Sequence, residues 1–252
     1  KLERLSGANK NRNSTWKPTE GEEHTVRLIS FPDNDGQPFK EIQWYYNIPG
    51  SRGMVAPYQF GKKDPVQELI AKLREEGSKE SYEMAKKLYP NMRTYAAVVV
   101  RGQEDEGVKI WGFGKTVYQK LLSIMLDEDY GDITDPTGGR DIVVEFTPAD
   151  GPGQYPKTSI RVKPNVTMMT EDKNVAERVA KQQPDLAVIF KEPSYDDLKG
   201  ALEEWLNPDS DTGSSTDARP AATEAPKKEE AAPAGVNKVD DVSAAFDELF
   251  NE

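Results

Sequence analysis

The sequence predicts a β-rich α+β fold that is followed by a polar, acidic C-terminal tail. Several short segments alternate apolar and polar residues between clusters of Gly, Pro, Asn and Asp, as strands and turns do. Helical periodicity replaces this alternation between residues 64 and 89. Beyond residue 206, Pro, Ala, Ser, Thr and Glu dominate and large apolar residues become rare, which is typical of a disordered linker.

The alternating segments give the strands in order. We expect Pro57 to push the third of them toward a sheet edge, because proline cannot donate a ladder hydrogen bond. The acidic turn after Val100 joins two strands into a hairpin, and a Gly/Pro-rich loop joins the last two. The predicted strands are His24–Phe31, Phe39–Ile48, Met54–Phe60, Thr94–Val100, Val108–Gly114, Arg140–Pro148 and Lys157–Pro164.

Apolar residues at spacings of three and four predict the helices. Val66, Leu69, Ile70 and Leu73 begin the pattern, and it repeats after Gly77. Further helices are expected at Thr116 to about Asp127, Asp172–Gln182 and Ser194–Leu206. The predicted organisation is a polar arm at 1–23, a core at 24–206 with a helical subdomain at about 61–92, a disordered linker at 207–239 and an acidic tail at 240–252.

The charge is unevenly distributed along the chain. Its 252 residues carry a formal charge of −11, which ordinarily opposes nucleic-acid binding. Residues 209–252 contain eleven acidic and four basic residues, a balance of −7, and the preceding 208 residues carry −4. Local clusters of Lys and Arg therefore decide whether phosphate can bind.

The residue inventory excludes several classes of function. The absence of cysteine excludes disulfides, thiol catalysis and cysteine-ligated zinc, and the single histidine, His24, limits acid–base chemistry. No run of ~18 apolar residues predicts a membrane span. Because the chain begins at Lys1 rather than Met, we expect that an N-terminal piece is missing.

The stretch "WGFGKT" at residues 111–116 resembles the end of a phosphate-binding loop. Such a loop needs a first glycine five positions before its last glycine, which is position 109 here, and that position is Lys109. Gly107 comes two residues too early and lies in the hairpin turn. A nucleotide-binding enzyme that uses Gly114, Lys115 and Thr116 is therefore a weak alternative.

Strand alternation favours a different ligand. It places Lys109 and Trp111 on one face, with Val108 and Ile110 facing the core, and we expect Tyr95 and Arg101 to join the Trp111 surface. Gly112 and Gly114 would leave room for a flat ligand. Exposed rings among cations suit single-stranded nucleic acid, although packing is the alternative for any one ring. The other candidates are Tyr45, Tyr46, Arg52, Tyr58, Lys62, Lys63, Arg93, Tyr155, Lys157 and Arg161.

Two segments resemble a known family. "YAAVVVRGQEDEGVKIWGFGKTVYQKLLSIM" (residues 95–125) and "VRLISFPDNDGQPF" (residues 26–39), with Trp16-Lys17 before them, are similar to the single-stranded DNA-binding, helix-destabilising proteins of T-even-type bacteriophages. The similarity runs from about Trp16 through Lys163 and resumes in the tail.

The resemblance implies an OB fold, a five-stranded barrel with a helical subdomain beside it, and single-stranded DNA in the cleft between them. It also implies a non-enzymatic protein of phage DNA replication, recombination and repair in the host bacterial cytoplasm. Tyr95, Trp111 and Tyr155 match aromatic residues of the family, and Arg93 and Lys115 match basic ones.

The chain departs from the family in two places. Its members carry a His/Cys3 zinc site before the first inserted helix, but "MVAPYQFGKKDPVQELI" holds no Cys or His, so no cofactor is expected. Members also begin with a basic arm that supports self-association along DNA. Only the compositionally similar "NKNRNST" at residues 9–15 is present, which leaves the cooperativity of this chain open.

The acidic tail ends in "VDDVSAAFDELFNE", where apolar residues follow a helical spacing. The resemblance implies that this tail binds replication and recombination proteins and covers the basic cleft when DNA is absent. A solubilising tail explains the charge without the apolar stripe. The candidate partner-binding residues are Asp240, Asp241, Phe246, Leu249 and Phe250.

Two other classes of protein remain as alternatives. An enzyme would use the 114–116 segment, His24 or the acidic clusters at 104–106 and 127–129. Solvated surface is the usual explanation of such acidic clusters. A phage structural or assembly protein without DNA affinity is the third possibility.

Overall fold

The computed structural model describes residues 14–48, 53–151, 154–181, 183–206, 246 and 248–250. It is a mixed α/β structure with a large, open and mostly antiparallel sheet. The strands are β1 (Thr15–Trp16), β2 (Glu23–Ile29), β3 (Phe39–Tyr45), β4 (Met54–Val55), β5 (Asn91–Val100), β6 (Lys109–Phe113), β7 (Arg140–Thr147) and β8 (Lys157–Val166). The helices are α1 (Pro65–Glu75), α2 (Lys79–Leu88), α3 (Lys115–Met125), α4 (Lys173–Lys181), α5 (Leu186–Ile189) and α6 (Tyr195–Leu206), with 3₁₀ turns at Pro57–Phe60 and Glu104–Glu106.

The main path of the sheet runs β1-β6-β5-β2-β7-β8, and β3 lies off this path, where it pairs with β4 and β5. Strand β5 is central, with β2 and β6 antiparallel on either side. The short β1 is parallel to β6. The predicted β-rich α+β fold is confirmed at this coarse level. The closed barrel is not confirmed, because the strands that the structure describes form an open sheet.

The strand and helix pattern of the sequence is largely confirmed, with boundaries shifted by a few residues. One prediction is wrong: Met54–Phe60 is not a single strand. Only Met54 and Val55 pair with β3, and a 3₁₀ turn begins at Pro57. The fixed φ of Pro57 and its missing N–H suit the first turn of a helix better than a ladder. Strand β1 and helix α5 were not predicted, because each is too short to repeat a recognisable pattern.

The chain divides into two compact units. Unit one contains the described residues of 14–42 and 92–191 and holds most of the sheet. Its core lies on one face of the β6-β5-β2-β7-β8 sheet and is closed by α3, which contributes Val117 and Leu121. The buried members of this core are Val26, Leu28, Ala96, Val98, Val100, Trp111, Phe113, Val117, Leu121, Ile133, Ile142, Val144 and Ile160.

Unit two contains the described residues of 43–91 and 192–250, and is mainly helical. Helix α1 begins at Pro65, where the preceding Asp64 accepts hydrogen bonds from the backbone N–H groups of Val66 and Gln67. Helix α1 packs against α2 and α6. The buried core of this unit comprises Tyr45, Ile48, Ala56, Val66, Leu69, Ile70, Leu73, Ala85, Leu88, Leu198, Leu202, Leu206 and Phe246.

A buried ionic network fixes the second face of the unit-one sheet. The guanidinium of Arg27, which is fully buried, donates to Asp141 at 3.0 Å and to the carbonyl oxygens of Gly139 and Thr167. Arg101 donates two further hydrogen bonds to the Asp141 carboxylate, at 3.0 and 2.8 Å. Burial lowers the pKa of Arg27, against the attraction of Asp141. The Asp141 carboxylate thus lies between two cations that are partly or wholly out of water, and Glu104 lies 3.8 Å from Arg101.

No helix in the part of the chain that the structure describes is long and apolar enough to cross a membrane.

Substituting Asp141→Ala should destabilise the protein by about 3–5 kcal/mol, because it removes the ion-pair partner of the buried Arg27. Urea-induced unfolding measures this change. The matched control is Glu23→Ala, which removes the carboxylate partner of Arg161 from a pair whose side chains are both more than half exposed. That loss should stay below about 1 kcal/mol. Equal losses in the two variants would contradict the importance of the buried network.

Candidate nucleic-acid interface

The register of β5 and β6 decides which candidate residues share a face. Trp111 lies opposite Ala96, and Tyr95 lies opposite Gly112. Directly opposed residues of an antiparallel pair point to the same side of a sheet. Tyr95 and Trp111 therefore point to opposite sides, and the prediction that Tyr95 and Arg101 join the Trp111 surface is wrong.

Trp111 lies in the core of unit one rather than on its surface. Its side chain is 1% exposed and contacts the ring of Trp16 edge-on, with 5.6 Å between centroids, and the ring of Phe113 at 4.6 Å. Lys109, on the same face, has its Nζ 3.0 Å from a carboxylate oxygen of Glu106. We expected Lys109 and Trp111 to form an exposed surface. Trp111 is instead covered by β1 and by the neighbouring aromatic rings.

The opposite face of the hairpin carries a compact cluster around Gly112. Arg93 donates a hydrogen bond to the carbonyl of Gly112 at 3.0 Å, and the ring of Tyr95 contacts that of Phe190 at 4.6 Å. A Cβ on Gly112 would lie 2.8 Å from Cε1 of Tyr95 and 3.1 Å from Nε of Arg93. The sequence predicted open space for a flat ligand beside Gly112, but the side chains of Tyr95 and Arg93 occupy it. Gly114 does leave open space, and Lys115 after it is exposed at the start of α3.

Arg101 is engaged within the protein. Besides Asp141, its guanidinium donates to the backbone carbonyls of Met168 and Met169. A phosphate would have to compete with the carboxylates of Asp141 and Glu104 and with two carbonyl groups. The structure therefore gives Arg101 a structural role in the folded unit.

Strand β8 presents the most exposed combination of aromatic and basic side chains among the candidates. Tyr155, just before the strand, is 89% exposed. Lys157 and Arg161 alternate along the strand on one face, opposite Thr147 and Val143 of β7, and both are exposed. Arg161 has an exposed carboxylate partner, Glu23, at 3.0 Å. An exposed pair of this kind contributes little, so Arg161 can exchange the carboxylate for a phosphate at low cost.

Unit two holds a second aromatic site at the end of β3. The rings of Trp44 and Tyr46 are nearly parallel, at 19° and 6.1 Å between centroids, and Tyr46 is 40% exposed. Gly53 lies against them, since a Cβ there would be 2.7 Å from Cε1 of Tyr46. Its φ of +116° also favours glycine. Tyr46 is thus a partly exposed ring that is held in place by the buried Trp44.

Tyr45 points the other way, as strand alternation requires. It is 1% exposed, donates a hydrogen bond to Asp64 at 2.8 Å and accepts one from Gln67 at 2.9 Å. Burial raises the pKa of the Tyr45 hydroxyl, and burial also raises the pKa of Asp64. The ring of Tyr45 lies in the unit-two core, and its contact with DNA stays an untested prediction.

The remaining candidates of unit two are dispersed around the 3₁₀ turn. Tyr58 is half-buried against the unit-two core, and burial raises the pKa of its hydroxyl. Lys62 forms an ion pair with Glu192 at 2.6 Å, with its side chain 61% exposed, and Lys63 is exposed. Arg52 lies outside the described residues, as do Asp240 and Asp241 of the tail.

Two aromatic residues belong to these sites although they were not selected as site residues. Trp44 supports Tyr46, and its position two residues before Tyr46 in a strand was a usable signal for a shared face. Phe190 covers Tyr95 from a distant segment, which no local pattern could show. Among the described residues there is also no group of three or more His, Asp or Glu side chains placed to hold a metal ion.

Comparison with known proteins gives no family assignment: no protein-family model matches the chain, and no curated protein is significantly similar to it. Its function is therefore inferred from the geometry and from the sequence resemblance.

Substituting Gly112→Ala should cost about 1–3 kcal/mol of stability, since the added methyl group overpacks the Tyr95–Arg93 cluster. Thermal unfolding tests this. Gly114→Ser is the control, because a side chain there meets open space and serine is a good residue before a helix. If Gly112→Ala left the thermal stability unchanged, the Tyr95–Arg93 cluster would have to open readily to admit the methyl group.

The variant Tyr45→Phe should be less stable by about 1–3 kcal/mol, because Asp64 and Gln67 lose a buried hydrogen-bonding partner. Its affinity for single-stranded DNA should be unchanged, because the ring is retained inside the core. Chemical unfolding and oligonucleotide titration separate the two effects. The exposed Tyr82→Phe is the control for losing a hydroxyl group. Lost affinity with unchanged stability would restore Tyr45 as a DNA contact.

Proposed function

We propose that this protein binds single-stranded DNA without strong sequence preference, as the T-even-type phage proteins that it resembles do. The observation that carries the proposal is the exposed side chain of Tyr155 beside Lys157 and Arg161 on β8. Rings stack on bases of any sequence, and cations follow the phosphates, so this combination fits single strands. Tyr46, stacked on Trp44, offers the same chemistry in unit two.

The mechanism proposed is stoichiometric and non-enzymatic. A surface that stacks unpaired bases has no equivalent contact with a closed duplex, so binding shifts the melting equilibrium toward single strands by mass action. The protein would protect single strands during phage replication, recombination and repair in the host bacterial cytoplasm. The acidic tail would recruit the proteins that carry out these processes.

The proposal includes the OB architecture of the family. Its five-stranded barrel requires the edges of a curved sheet to meet, whereas the described strands of this chain form an open sheet. The resemblance of residues 26–39 and 95–125, which contribute β2, β5 and β6, supports the barrel.

The negative overall charge is compatible with this function. The tail carries −7 of the −11, and local cations on β8 and around the 3₁₀ turn of unit two set the phosphate affinity. Because cations that neutralise the DNA phosphates release the counterions bound to the DNA, salt should weaken binding strongly.

Titrating a fluorescent oligo(dT) while recording its anisotropy tests the function. The full-length protein should bind, and its affinity should fall by about tenfold or more between ~50 and ~200 mM salt. Tyr155→Ala and Tyr46→Ala should each weaken binding by about 5- to 150-fold, which corresponds to about 1–3 kcal/mol of lost stacking, with unchanged melting.

Tyr82→Ala is the matched control, because Tyr82 is 51% exposed on α2 and was not predicted as a contact. Its affinity should equal that of the unsubstituted protein. If the protein did not bind the oligonucleotide at the lower salt concentration, the proposal would be wrong. Equal losses in all three variants would show that exposed rings act nonspecifically.

A further inference from the structure

The C-terminal segment lies against unit two instead of standing free. Phe246 is 3% exposed and belongs to the core that α1, α2 and α6 share. Phe250 packs against the same core, and its ring contacts those of Phe246 at 4.7 Å and Tyr195 at 6.3 Å. Residues 246 and 248–250 are helical, so these two rings, four positions apart, share one face.

Polar contacts hold the segment from both sides. Lys72 of α1 forms an ion pair with Glu248 at 2.6 Å. Lys199 of α6 donates a hydrogen bond to the backbone carbonyl of Phe250 at 2.9 Å, and its Nζ lies 5.5 Å from the centre of the Phe250 ring. The segment therefore lies in a groove between α1 and α6, which we call the tail groove. Its floor is apolar and each of its two walls contributes a lysine.

We propose that the tail groove is a binding site for an acidic amphipathic helix with phenylalanine at positions i and i+4, and that the chain's own C-terminal segment is a reversible ligand of this site. Phe246 and Phe250, the centre of the stripe expected to bind partner proteins, are covered when the segment is docked. Leu249 remains 37% exposed and gives a partner a first contact. A partner that binds the full stripe must compete with the groove.

Three features of the chain support a ligand rather than a fixed core element. The docked residues follow the end of α6 only after 39 intervening residues of polar composition. The lysines on the groove walls match an acidic segment, and charge complementarity of this kind selects a partner. Because the segment and the groove belong to one chain, docking is intramolecular, so a modest intrinsic affinity keeps the groove filled while allowing exchange. The inference does not depend on DNA binding.

A labelled synthetic peptide of residues 240–252 tests the groove in the full-length protein. The double variant Phe246→Ala/Phe250→Ala should leave the groove unoccupied and bind the added peptide at least about tenfold more tightly than the unsubstituted protein, in which the tethered segment competes. Leu249→Ala is the matched control, since it alters the exposed side of the same segment. Leu249→Ala should bind the added peptide as weakly as the unsubstituted protein does. Fluorescence anisotropy measures the peptide affinity of all three proteins. Equal peptide binding by the double variant and the unsubstituted protein would overturn the proposal.

Hydrogen exchange of the unsubstituted protein keeps the test decisive if the double variant fails to fold. The amides of residues 248–250 should be protected, yet exchange at least about tenfold faster than the interior amides of α6, because undocking does not require unfolding. Adding an excess of unlabelled 240–252 peptide should accelerate their exchange further. Exchange at the rate of α6 would show that the segment is a permanent part of the core, and exchange without protection would show that it does not dock. Either result overturns the proposal.

Discussion

The pairing of β5 with its two neighbours is the constraint on which unit one depends. Val98 lies opposite Leu28 of β2 and Lys109 of β6, so one set of alternating residues builds the core. A shift of the register by a single residue would exchange the two faces. The observed register places Trp111 inside that core and Tyr95 beside Gly112 on the other face. The register of β5 and β6 therefore decides on which face of the sheet each candidate aromatic side chain lies.

The same constraint explains where the charges lie. The second face of the sheet carries Arg27, Asp141 and Arg101, whose charges compensate one another inside unit one. Among the candidate cations that the structure describes, those that are exposed to solvent are Lys157 and Arg161 on β8, Lys62 and Lys63 after the 3₁₀ turn of unit two, and Lys115 at the start of α3. Exposed pairs such as Arg161 with Glu23 exchange partners readily, whereas buried ones do not. Exposure therefore separates the basic residues available to phosphate from those that stabilise the fold.

The tail connects the charge distribution with the helical unit. Its acidic residues alone would suit a solubilising segment or a competitor of DNA. The buried Phe246 and the partly buried Phe250 lie beside two lysines, which supports a specific docking site in unit two. When the segment is docked, its apolar stripe packs against the core of unit two. The stripe can bind other proteins only after the segment has left the groove.

Much of the secondary structure follows from the sequence alone, because period and turn chemistry are local. Alternation determined β2, β5 and β6, and helical spacing determined α1 and α2. Lys109, in the place of the required glycine, argued against a phosphate loop. The opposite orientations of Tyr45 and Tyr46 were also implicit in that alternation. Only the tertiary structure decided which face of each strand is covered. That choice depends on distant residues: Trp16 closes over Trp111, Phe190 over Tyr95, and α1 with α6 over Phe246. Burial is a property of neighbours in space, and a local pattern cannot specify them.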